Sequence, residues 1–218
     1  MIAIIDYGMG NIHSVQKALE SMGAKTIVTN NPDGIKASDK AVLPGVGAFD
    51  DAMQELKRQN LILSLTEHIK SKKIFLGICL GMQLLFEESE EARVSMVRLR
   101  SPLTLSAVEV SKGLGILKGV VKKFENKDNL KVPHMGWNQL KVKNSACPLL
   151  KNLADNSYVY FCHSYYPQPK DERIIAATTD YGIDFPSILW QDNIYGAQFH
   201  PEKSQEIGLK ILRNFVSL

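Results

Sequence analysis

The sequence predicts an α/β fold: an open, mostly parallel sheet with helices on both faces, followed by a strand-rich second half. Two observations carry that reading. Short apolar runs at 2–6, 25–29, 40–43 and 74–78 alternate with stretches of helical spacing. From residue 116 onward, strand candidates follow one another with little helical spacing between them. No repeat, low-complexity segment or Pro/Gly/Ser-rich linker divides the 218 residues, so 1–218 read as a single domain.

Residues 2–6 are an uninterrupted apolar run of strand length that ends on an acid. Ile12, Val15, Leu19 and Met22 then recur at helical spacing, and Gly23 is placed to end that helix. Strands are expected at 25–29 and 40–43. Phe49, Ala52, Met53 and Leu56 mark one helical face, and a further helix is expected over 61–69. A strand at 74–78 leads into a helix over 81–88. In the second half, strands are expected at 116–123, 137–142, 158–163, 174–178, 188–191 and 194–198, with Asp192-Asn193 as a hairpin turn. Ser204 is placed to cap a last helix that buries Ile207, Ile211 and Phe215.

Composition narrows the function classes. At 44% hydrophobic and 22% charged, the chain can bury a core and is not of disordered type. Twenty-six basic and 23 acidic residues leave +3, which calls for neither nucleic acid nor a membrane surface as partner. Three cysteines cannot build a disulfide framework, so a reducing, cytoplasmic setting is expected. The start, Met1-Ile-Ala-Ile-Ile-Asp6, has no basic segment and does not read as a signal peptide. The longest apolar stretch, 74–86, is interrupted by Gly77, Gly81 and Gln83 and is too short to span a membrane.

Gly77-Ile-Cys79-Leu-Gly81 falls where a strand meets a helix. Glycines at both spacings allow the sharp turn that lifts a nucleophile off a sheet, and the helix start behind it favours a thiolate. A lone cysteine is more often a small core residue; the flanking glycines weigh against that here. His200-Pro201-Glu202 supplies the matching base and its orienting acid. In extended chain, residues two apart point the same way, so Glu202 can hold the ring while His200 faces the thiol. Pro44-Gly45-Val46-Gly47 follows another strand. Its backbone N–H groups, with that of Leu80, can form an oxyanion hole, although a plain strand-to-helix turn is the commoner meaning of such a segment. Sites of open α/β sheets lie at the carboxyl ends of the strands, where all three segments fall.

Taken together, these motifs resemble the class I, triad-type glutamine amidotransferases, whose fold is flavodoxin-like. The likeness is closer to the glutaminase subunits of imidazole glycerol phosphate synthases. It is carried by Asp6-Tyr-Gly-Met-Gly-Asn11, Leu43-Pro-Gly-Val-Gly-Ala-Phe49, Gly81-Met-Gln-Leu-Leu-Phe86, Pro133-His-Met-Gly-Trp-Asn138, Tyr160-Phe-Cys-His-Ser-Tyr165 and His200-Pro-Glu-Lys-Ser204, in family order along nearly the whole chain. The resemblance implies a catalytic triad of Cys79, His200 and Glu202, an oxyanion hole from Leu80 and the Gly45–Val46 peptide, and no metal or cofactor. It implies that this peptide must flip, so the isolated subunit is expected to be nearly inactive. It places the glutamine pocket at Gly47, Gln83, Glu91, His163, Ser164 and Tyr165. Glu91 would pair with the substrate ammonium. It also implies a heterodimer with a (β/α)₈-barrel cyclase that receives ammonia, with Asn11, Trp137, Tyr160 and Lys203 at the interface.

The chain departs from the family pattern between Glu91 and Gly113. Residues 92–112 are long there, carry Arg93, Arg98 and Arg100, and read as a tolerated surface insertion, with an added hairpin or lid as the other reading. That insertion leaves the placement of Glu91 open. Three other readings remain at this level: the same glutaminase feeding a surface-sugar amidating synthase, which a neighbouring gene would distinguish; a non-catalytic scaffold, which loss of a triad residue would indicate; and a self-contained thiol hydrolase, active without a partner, which the Trp137 and Lys203 matches speak against. All three triad residues are present.

Overall fold

The computed structural model describes residues 1–91, 110–125 and 130–218. Of the surface insertion, or hairpin or lid, read at 92–112, residues 92–109 with Arg93, Arg98 and Arg100 lie outside the described residues.

The first half alternates as its spacing predicts. The order is β1 (Ile2–Ile5), α1 (Ile12–Glu20), β2 (Thr26–Thr29), α2 (Pro32–Ala37), β3 (Lys40–Gly45), α3 (Phe49–Arg58), α4 (Leu61–Lys70), β4 (Ile74–Cys79) and α5 (Leu80–Gln83). Sequence reading missed α2. Its start is chemically marked, since Asn31 accepts a hydrogen bond from the Asp33 amide and Pro32 occupies the first turn, but one buried residue, Ile35, gives no period.

Beyond α5 come β5 (Glu88–Ser89), β6 (Ser111–Lys112), β7 (Gly119–Lys123), β8 (His134–Gln139), β9 (Lys141–Val142), β10 (Tyr158–His163), β11 (Tyr165–Pro169), β12 (Ile175–Asp180), β13 (Asp184–Gln191) and β14 (Ile194–Ala197). The chain closes with α6 (Gln205–Val216). The central sheet has eight strands in the order β2-β1-β3-β4-β14-β13-β12-β9, and the first five are mutually parallel. Two smaller sheets, β10-β8 and β11-β7-β5-β6, complete the second half.

Alternation along the strands sorts the core into two layers. Ile2 and Ile4 of β1, Val42 of β3, and Leu76 and Ile78 of β4 pack with Val15 and Leu19 of α1 and Ile211 and Phe215 of α6. Ala3 and Ile5, Ala41 and Leu43, and Phe75 pack with Ile35, Leu56, Leu61 and Leu65 of α2, α3 and α4. Each face of the sheet thus has its own helices. No helix among the described residues is long and apolar enough to cross a membrane.

Four expectations are corrected. The helix expected over 81–88 stops at Gln83, and Glu88–Ser89 is a strand. The carbonyls of Leu84, Leu85 and Phe86 are taken by the amides of Leu114, Ile116 and Gly115, so the helical ladder cannot continue. For the same reason the strand expected from 116 starts at Gly119. The strand expected over 137–142 is two: β8 pairs with β10, whereas β9 pairs with β12 in the central sheet. Ser204 does precede α6, yet its side chain does not cap it; the hydroxyl donates to the His200 carbonyl and accepts from the Tyr160 amide. The unexpected β11 contains Pro167 and Pro169, and it lies at the edge of its sheet, where a missing N–H does no harm.

Candidate active site

Three neighbouring parallel strands deliver the site. In the register, Gly45 at the end of β3 pairs with Cys79 at the end of β4, and Ala197 at the end of β14 pairs with Ile78. The chain leaving β14 then runs through Gln198 and Phe199 to His200 at the same carboxyl edge.

Cys79 has φ 54° and ψ −111°, a region that side-chain-bearing residues avoid. The turn closes because its glycines lack side chains. A Cβ on Gly77 would stand 2.6 Å from the Gly81 carbonyl oxygen, and one on Gly81 would stand 1.8 Å from that of Leu43. The two glycines are therefore a packing requirement of the elbow, and Cys79 itself is only 5% exposed.

His200 and Glu202 form a buried pair, with Nδ1 2.9 Å from Oε1 and side chains 4% and 1% exposed. That bond makes Nδ1–H the donor and leaves Nε2 as the ring's proton acceptor, while the Cys79 thiol donates to the Cys162 carbonyl at 3.9 Å. Burial opposes charge on the ring, but nearby Cys79 and the bond to Glu202 outweigh it, and its pKa is raised to about 10. The ring is thus set to carry a proton.

Above Cys79 lies a cleft of about 280 Å³, at the small end of the usual range for small-molecule sites. Val46, Gly47, Leu80 and Gln83 line it, as do Glu91, His163, Ser164, Tyr165, His200 and Lys203. Glu91 is held by three hydrogen bonds. Its Oε2 accepts from the Phe49 amide at 2.8 Å, its own amide donates to Ser89 Oγ, and its carbonyl accepts from Ser111 Oγ. Burial pushes its pKa up against the Phe49 bond, helped by Asp51 and Asp50. Gln83 is not on a solvated face. It is 4% exposed, and its Nε2 donates to the Tyr165 carbonyl at 2.8 Å and to Gln198 Oε1 at 3.0 Å, which leaves its oxygen for a ligand.

Of the four residues expected at an interface, Lys203 lines the cleft and the other three do not. Trp137, 46% exposed, meets Tyr160 edge-on at 6.0 Å across the β8–β10 pair. Lys203 is exposed at the cleft, and Asn11 is half-buried just before α1.

Sequence reasoning missed several residues. Gln198, fully buried, donates from Nε2 to Cys79 Sγ at 3.7 Å. His163 donates from Nδ1 to the Tyr165 carbonyl and accepts at Nε2 from His134 Nδ1, 3.2 Å away; His134 Nε2 accepts from Asn138. Burial lowers the pKa of His163 to about 3 and that of His134 to about 4, so both rings are neutral. Tyr7 is fully buried, and its hydroxyl finds no hydrogen-bond partner among the described residues. It lies where a Cβ on Gly45 would come within 2.6 Å of it. A polar residue inside an apolar strand end was the available signal for Gln198.

Comparison with known proteins identifies the family and the fold. The family model Glutamine amidotransferase class-I matches residues 3–218. The imidazole glycerol phosphate synthase subunit HisH of Methanocaldococcus jannaschii is 49% identical over 218 residues, covering 100% of both chains. The HisH subunit of Syntrophotalea carbinolica is 46% identical over 220 residues, covering 99% of this chain and 98% of its own. Among solved structures, PurLQS from Thermotoga maritima superposes with a TM-score of 0.73 at 16% identity, over 99% of this chain and 97% of that one. A glutamine amidotransferase superposes with a TM-score of 0.71 at 14% identity, over the whole of both chains. These two share the fold alone. With a nucleophile elbow, a buried His–Glu pair and end-to-end likeness of nearly half its residues to HisH subunits, the chain belongs to the class I glutamine amidotransferases, and within them to the HisH family.

Proposed function

We propose that the protein is the glutaminase subunit of imidazole glycerol phosphate synthase in histidine biosynthesis, and that Cys79, His200 and Glu202 hydrolyse glutamine in its cleft. The single observation that carries the site assignment is the buried His200–Glu202 pair in the same cleft as a cysteine on a strained elbow. Cys79 passes its proton to His200 and attacks the side-chain amide carbon of glutamine. The oxyanion that forms is held by the N–H groups of Leu80 and of the Gly45–Val46 peptide, which lies across the register from Cys79. His200 returns the proton to the departing ammonia. Water then attacks the thioester, again through His200, releasing glutamate and the free thiol. Glu91 receives the substrate ammonium, while Gly47, Gln83 Oε1 and the His163-Ser164-Tyr165 wall shape the pocket.

Ammonia in neutral water is mostly protonated and unreactive, so it must pass dry to its point of use. The receiver is a (β/α)₈-barrel cyclase subunit, docked over Asn11, Trp137, Tyr160 and Lys203. Exposed Met135 and Val46, 61% and 41% accessible, add apolar surface to that region. Residues 1–218 act as one domain in a cytoplasmic heterodimer.

The test is glutamate release from glutamine by the chain alone and with a barrel cyclase carrying its ribotide ligand. A large rise only in the ligated complex is expected; high activity in the chain alone points to an independent hydrolase. In the complex, Cys79→Ala is expected to lower glutamine-dependent synthesis by at least about 10⁴-fold while sparing synthesis from ammonium salts. Loss of both activities counts against an ammonia-supplying role.

A further inference from the structure

We propose that Gln198 is a catalytic hydrogen-bond donor to the Cys79 sulfur, with its donor face held there by Gln83. The proposal rests on the glutaminase reading above and adds a group to its nucleophile.

Gln198 Nε2 stands 3.7 Å from Sγ, and the side chain is fully buried, so no solvent competes for that contact. A side-chain amide can present either its nitrogen or its oxygen, and only the nitrogen favours a thiolate. The neighbours decide which one faces the sulfur. Gln83 Nε2 donates to Gln198 Oε1 at 3.0 Å and to the Tyr165 carbonyl at 2.8 Å. A backbone carbonyl can only accept, so it fixes Gln83 as the donor and thereby Gln198 Oε1 as the acceptor. The same carbonyl accepts from His163 Nδ1 at 2.8 Å, and His163 is held in turn by His134. Turning the Gln198 amide over would set its oxygen against S⁻ and its nitrogen against the Gln83 nitrogen. When Cys79 gives its proton to His200, Gln198 and the imidazolium both donate to the sulfur. No bond to Gln198 forms or breaks. The titratable groups that face the sulfur are His200 and Tyr7.

The experiment is site-resolved alkylation of Cys79 by iodoacetamide against pH, in the full chain, for the wild type, Gln198→Met and Gln198→Glu. Losing the donor is expected to move the alkylation midpoint up by about one pH unit, a tenfold drop in thiolate, and the carboxylate variant further still. In the barrel complex, kcat for glutamine hydrolysis by Gln198→Met is expected to fall about tenfold with KM little changed. Alkylation of Cys147, 1% exposed, reports unfolding of a variant. If the apolar variant unfolds, Gln198→Glu, which keeps the shape of the amide, decides. Midpoints equal to wild type in the folded variants assign Gln198 to packing and overturn the proposal. A wild-type complex that releases no glutamate overturns the glutaminase reading instead, and the midpoints still decide the role of Gln198.

Discussion

Cys79 holds its φ of 54° because the neighbouring residues leave it no alternative. Such a conformation costs on the order of 1–3 kcal/mol, and the gain is a sulfur at the carboxyl edge of the sheet, in the cleft that His200 also lines. At this scale the least replaceable partner is Glu202. Its Oε1 sets the tautomer of His200, while its Oε2 is buried with no hydrogen-bond partner among the described residues. Glu202→Gln keeps the shape but removes the charge that stabilises the imidazolium and allows the amide to present a donor to Nδ1. The expected result, read by steady-state glutaminase assay of the complex, is a fall in kcat of at least about 10²-fold with little change in KM. An unchanged kcat would remove Glu202 from the triad.

The elbow shows why α5 must be short. Leu80–Gln83 makes a single turn, after which the backbone carbonyls of 84–86 bind the 114–117 segment. Helical propensity in Leu-Leu-Phe-Glu was overridden by these tertiary hydrogen bonds, and the sequence carried no sign of them. Packing between β3 and α5 is equally strict. A methyl group on Gly81 would enter the Leu43 carbonyl, and backbone cannot step aside as a flexible side chain can. Gly81→Ala is therefore expected to lower unfolding free energy by about 3 kcal/mol, measured by urea titration. A loss within about 0.5 kcal/mol would mean that the elbow has room it does not show. The contrast is Gly23, where a Cβ meets nothing and only the positive φ of 80° favours glycine.

The whole molecule is joined by a layer of rings between its sheets. His134 of β8 stacks on Tyr181 at 3.9 Å and on Phe161 at 4.8 Å, and both His163 and Phe124 pack on Phe185 of the central sheet. The two histidines at its centre, with pKa values lowered to about 4 and about 3, couple this layer to pH. Above their ordinary value of 6.5, neither the folded nor the unfolded rings carry the proton. As pH falls through 6.5, the unfolded rings take it up while the folded rings stay neutral, so acidification removes stability until about pH 4 for His134 and about pH 3 for His163. Each ring contributes a slope of up to about 1.4 kcal/mol per pH unit. Urea unfolding at pH 7 and pH 5 is expected to show this loss, and His134→Asn is expected to make it shallower. An identical pH slope in that variant would count against a titrating role for His134.

Legibility followed the range of the contacts. The strand–helix alternation of 2–79, the Gly-Ile-Cys-Leu-Gly elbow and the His200-x-Glu202 pair depend on spacings of a few residues, and periodicity and steric rules read those directly. The ends of β7, β8 and α5, the edge strand β11 and the hydroxyl of Ser204 depend on partners far along the chain, and local rules placed them wrongly or not at all. Gln198, His134 and Asn138 were visible as polar residues, but not as links in a chain of hydrogen bonds. Residue types and their order by themselves determined the α/β layering, the nucleophile and its base, because backbone geometry fixes which side chains share a face. Only the tertiary structure decided which amide nitrogen faces the sulfur, where Glu91 stands and which carbonyls stop α5, because each is settled by a hydrogen bond between segments that only folding brings together.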